Sequence, residues 1–77
     1  MNKTELKVHM LRKDKTAEQL CTALGISRSA WFRKTNGISQ FTQGEISALR
    51  YELELDDHDT AKIFFDLDVS QTQQERG

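Results

Sequence analysis

The stretch that most limits what this chain can fold into is residues 16–35, TAEQLCTALGISRSAWFRKT, where one glycine separates two short segments of helical periodicity. Ala17, Leu20, Cys21 and Leu24 recur at three- and four-residue spacing and so share one helix face. Thr16 supplies a side-chain oxygen for the N-cap, and Glu18 sits in the first turn, where a negative charge meets the positive end of the helix dipole. Gly25 ends this helix because glycine adopts left-handed backbone without a Cβ clash. Ser27 is the next N-cap; the helix it starts runs to about Thr35, and Asn36-Gly37 closes it. Two short helices joined this tightly must pack on each other. The small Cys21 permits their approach, Ile26 plugs the angle between them, and Trp31 anchors the second helix to the core. With Trp31 inward, helical geometry sends Arg28, Ser29, Phe32 and Arg33 outward or to the flanks. Helix, tight turn and helix make a helix-turn-helix.

Around this centre the periodicity predicts three further helices. The first spans about Thr4 to Lys13, with Leu6, Met10 and, at its margin, Leu11 as the apolar stripe, and Asp14-Lys15 interrupts it. Residues 38–41 form a loop. Thr42 with Glu45 three residues on matches a capping box, and the fourth helix turns Ile46, Leu49 and Leu53 inward. Asp56 or Asp57 starts a fifth helix in which Ala61 and Phe64, joined by Ile63 and Leu67, face the core. No segment alternates with period two, so the expected fold is all-α with no strand. The 77 residues make one domain over residues 1–69 with little room for an enclosed pocket, followed by a polar, disordered tail at 70–77.

Several functional classes lose support at this level. His9, His58 and the lone Cys21 lack metal-ligand spacing, so two surface histidines and a buried thiol are expected, with no metal or cofactor. The acidic residues Glu52, Glu54, Asp56, Asp57 and Asp59 lack the alternation and central glycine of a calcium loop. No nucleophile motif and no phosphate-binding glycine loop occurs, which argues against an enzyme. Neither a signal peptide nor an apolar run of the roughly 20 residues that span a bilayer is present, so a cytoplasmic protein is expected, without membrane contact. Charge is uneven: residues 1–41 carry eight basic and three acidic side chains, residues 42–77 three basic and nine acidic. That division fits two faces with different partners, or simply two solvated surfaces. Ile63-Phe64-Phe65 reads as core closure; with Leu67 and Val69 it also offers apolar surface to a partner helix.

Four blocks in order, NKTELK, LGISRSAWFRK, FTQGEI and IFFD, span residues 2 to 66. Together they resemble the lambda-repressor/Cro-type helix-turn-helix regulators of temperate phages, and more narrowly the Cro-like proteins and short repressors of phages of Gram-positive bacteria. The resemblance implies a five-helix lambda-repressor-like DNA-binding domain with the helix-turn-helix at helices 2 and 3 and residues 27–35 as the recognition helix. On that reading Ser27, Arg28, Ser29 and Phe32 face the bases, with Arg28 suited to guanine because its planar fork pairs with O6 and N7. Arg33 and Lys34 suit phosphates. Thr16 with the Ala17 and Gln19 amides, and Gln40, Thr42 and Gln43 at the next helix start, would dock the sugar-phosphate backbone.

The sequence departs from the family pattern twice. Ala17 stands where members often carry glutamine, and Phe32 is apolar where a polar reader is expected; it suits a thymine methyl or a protein interface. Two functions follow as expectations. The first is a regulator of a lysis–lysogeny switch in a bacterial host, bound to double-stranded operator DNA and able to pair as a weak homodimer. The second is an anti-repressor that binds a phage repressor through the same face and blocks its DNA surface. A sequence pI near 6.1 favours the second, since dedicated DNA binders tend to be strongly basic. The basic first half favours the first.

Overall fold

The computed structural model describes residues 1–65. Five helices follow one another: α1 (Lys3–Arg12), α2 (Ala17–Leu24), α3 (Arg28–Thr35), α4 (Gln43–Leu53) and α5 (Asp57–Phe64), with no strand among the described residues. The expected inward role of Leu67, the apolar surface at Val69 and the tail at 70–77 all lie outside the described residues.

Local chemistry sets each start. Asn2, Thr16, Ser27, Thr42 and Asp56 are the N-caps, and each accepts the amide three residues on. The box expected at Thr42 and Glu45 forms, and two more form at Thr16 with Gln19 and at Asp56 with Asp59. Each box satisfies two backbone donors reciprocally.

Four of the five ends share one device. Asp14, Gly25, Gly37 and Glu54 take positive φ of 56°, 71°, 79° and 53°. The following amide then reaches back to the carbonyl five residues earlier: Lys15 to Met10, Ile26 to Cys21, Ile38 to Arg33 and Leu55 to Arg50, at 2.9–3.0 Å. This is the Schellman closure, which satisfies carbonyls that a helix end leaves open. Glycine fills only two of the four positions, so only those two ends were legible as turns of this kind.

The core is Leu6, Leu20, Cys21, Trp31, Leu49, Leu53, Leu55 and Ile63. Helix α2 packs on α3 and α4, and α1 packs on α5, where the Asn2 amide also donates to the Ile63 carbonyl at 2.7 Å. Trp31 meets Phe41 edge to face at 5.8 Å between ring centres, and Phe41 meets Phe64 likewise at 5.6 Å. This chain of rings ties α3 to α5 through the loop before α4.

Three expectations are corrected. Leu11 is not part of the core: it stands 81% exposed on the outer side of α1, because the α1 face is set by Leu6, His9 and Met10. His9 is not a surface histidine. It is 5% exposed, with Nε2 3.4 Å from Glu5 and 3.7 Å from Asp59 and without a hydrogen bond. The two charged halves are not two faces. Folding pairs Lys13 with Glu54, Lys15 with Glu52 and Lys34 with Glu45, so part of the sequence asymmetry cancels across the fold.

Candidate functional site

Helix α3 is held by its inner side and presents its outer side. Trp31 is 8% exposed, and Thr35 is buried with its hydroxyl donating to the Trp31 carbonyl at 2.9 Å. Arg28, Ser29, Phe32 and Arg33 are all exposed, and their spacing of one, four and five residues puts them on neighbouring strips of the helix. Phe32 is 59% exposed, too much for a residue completing the core. Arg28 and Arg33 form no ion pair among the described residues, which leaves both guanidinium forks open. Arg28 is also the first residue of α3, where the helix amides have no partners of their own.

The other sequence-derived candidates divide. Ser27 is exposed, but its hydroxyl oxygen accepts the Ala30 amide at 3.0 Å, so it caps the helix first. Lys34, expected to meet a phosphate, is engaged within the protein. Its ammonium lies 3.0 Å from Glu45, donates to the Gln40 carbonyl at 3.2 Å and sits over the Phe41 ring at 5.8 Å. That arrangement is built by the capping box. Burial pushes the Glu45 carboxyl up, but the Thr42 amide and the Lys34 ammonium outweigh it and hold the group below its usual range. One glutamate therefore caps α4 and withdraws a cation from the candidate face.

At α2, the Gln19 backbone amide donates to the Thr16 hydroxyl oxygen at 3.1 Å, and the Gln19 side-chain Oε1 accepts the Thr16 backbone amide at 2.8 Å. Those two amides are occupied, and Ala17 keeps the open first-turn donor. At α4, Thr42 and Glu45 exchange the same pair of bonds at 2.9 and 3.1 Å. Gln40 and Gln43 remain exposed, as does the Thr42 residue as a whole. The acidic cluster near α5 is likewise structural. Asp56 caps and is lowered chiefly by the Asp59 amide, Glu54 is lowered chiefly by its bond from Lys13, and Arg50 pairs with Asp57 at 2.7 Å.

Sequence reasoning passed over Ile38 as a loop residue. It is 66% exposed directly after α3, its amide bonded to the Arg33 carbonyl. No local signal could have found it, because a residue following a Gly-led helix end usually packs back on the helix, and Ile38 does not.

Among the described residues no three His, Cys, Asp or Glu side chains assemble into a metal site, and no helix is long and apolar enough to cross a membrane. The chain matches no protein-family model, and no curated protein and no solved structure is significantly similar to it.

Proposed function

We propose that this chain is a helix-turn-helix regulator of transcription, of the Cro-like or short-repressor kind in a phage lysis–lysogeny switch, that sets the outer side of α3 against double-stranded operator DNA. The observation that supports this most is the position of Arg28 and Arg33, without an ion pair among the described residues, on the exposed side of a helix anchored through Trp31. Arg28 at the helix start is placed to read a base edge, and Arg33 a turn later to meet a phosphate. Withdrawal of Lys34 leaves this face with few phosphate contacts, so one copy alone would bind weakly at physiological salt. Two copies on a palindromic site would supply the rest.

Phe32, exposed and apolar on the outer side of α3, favours a second reading, an anti-repressor that covers this face with a phage repressor. An aromatic between two arginines is a common centre for a protein interface.

One titration series of Arg28→Ala, Phe32→Ala and Arg33→Ala against operator DNA and against the repressor separates the readings. For a DNA reader, Arg28→Ala costs about 1–3 kcal/mol and relaxes preference at one base pair. Arg33→Ala weakens binding to all sequences and flattens the salt dependence by about one unit. For an anti-repressor, Phe32→Ala is the damaging change, at about 2 kcal/mol or more, and operator preference is undetectable.

A further inference from the structure

On the other side of α3 a small cleft opens between α1 and the start of α2, with Leu6, Met10, Ala17 and Trp31 as its apolar lining and Lys3 and Lys7 at its edge. Its volume is about 110 Å³. An enclosed apolar cavity that accepts benzene is somewhat larger, at roughly 150 Å³, so this cleft has room for one aliphatic side chain.

The lysines show what accompanies that side chain. Of the six in the sequence, Lys13, Lys15, Lys34 and Lys62 each contact a carboxylate among the described residues. The other two, Lys3 and Lys7, both edge this cleft. Among the described residues Lys3 donates to the Asn36 side-chain oxygen at 2.9 Å, and Lys7 is exposed. Four residues apart on α1, they are neighbours on one side of that helix, at the edge of the cleft. We infer that this cleft is a docking site for an acidic protein segment that inserts one aliphatic side chain and sets its carboxylates against Lys3 and Lys7. The site is separate from the outer side of α3, so it does not depend on what that side binds.

The experiment uses the full chain and its only tryptophan, Trp31, as reporter. Synthetic pentapeptides of four glutamates around a central residue are titrated while the emission of Trp31 is followed. Leucine, isoleucine and valine at the centre should give a saturable change, and serine should bind at least about tenfold more weakly, since one buried aliphatic side chain is worth roughly 1.5–3 kcal/mol. The double variant Lys3→Gln/Lys7→Gln should lose about three- to tenfold in affinity, as expected for two solvent-edged ion pairs. Lys13→Gln and Arg28→Ala should leave peptide binding unchanged, and the latter separates failure here from failure of the α3 reading. The inference is overturned if no peptide saturates at millimolar concentration, or if binding ignores the central residue or the two lysines. It is equally overturned if the double variant instead weakens binding to duplex DNA and no peptide binds, because Lys3 and Lys7 would then be phosphate contacts.

Discussion

Two turns flank α3, and both are built from the same pair of residues. Gly25-Ile26 leads into the helix and Gly37-Ile38 leads out of it, each glycine left-handed and each isoleucine amide bonded to a carbonyl five residues back. The backbone cannot tell them apart. The side chains can: Ile26 packs against the core between α2 and α3, whereas Ile38 stands in solvent. The first turn fixes the helix to the protein, and the second turns apolar surface away from it. A dipeptide therefore specifies the closure of a helix, and the neighbouring elements decide whether its side chain stabilises or presents.

The sharpest way to break this comparison is through the anchor that both turns share. Trp31→Ala should cost about 3–5 kcal/mol, the usual effect of truncating a large buried aromatic. A thermal melt should fall by about 4–8 °C for each kcal/mol in a domain of this size. A shift of a degree or two would mean that α3 is not held by its inner side.

The isoleucines come next. Ile26→Ala should destabilise by about 2 kcal/mol, the low end for a core aliphatic because Ile26 is only partly buried. Ile38→Ala should stay within about 0.5 kcal/mol in chemical denaturation, as for a surface change. Equal losses would erase the distinction between the two turns.

The glycines test the opposite point, that the backbones are equivalent. A Cβ at Gly25 or Gly37 would meet nothing within 4 Å, so alanine at either position faces only the left-handed strain. Each substitution should cost about 1 kcal/mol, and the two values should agree. A large excess at Gly25 would reveal a close approach of α2 and α3 that the packing does not contain.

A further small effect belongs to the ion pair between Glu45 and Lys34, the residue that follows Arg33. The Glu45 carboxyl is held below its usual range, so its contribution to stability is present above the unfolded-state value near 4.5 and fades as pH falls through the folded value. Glu45→Gln should therefore cost about 0.5–1 kcal/mol at pH 7 and almost nothing under strongly acidic conditions. It should also free Lys34 from its ion pair. Tighter, more salt-dependent binding of duplex DNA by this variant would support the nucleic-acid reading of the face, and unchanged binding would count against it.

The sequence by itself determined the helices. Caps at Thr16, Ser27, Thr42 and Asp56 and stripes of aliphatic residues act over three or four positions, and chemistry of that range is written in adjacent letters. The same holds for the outward set Arg28, Ser29, Phe32 and Arg33, which follows from one inward tryptophan and the helical repeat. Only the tertiary structure decided which charges remained to act. Lys34 meets Glu45 eleven residues away, Lys15 meets Glu52 and Lys13 meets Glu54 across the fold, and His9 is enclosed when α5 lays Asp59 against α1. Coulomb partners and burial are set by distance in space, and no local pattern encodes which distant side chain a lysine or a histidine will meet.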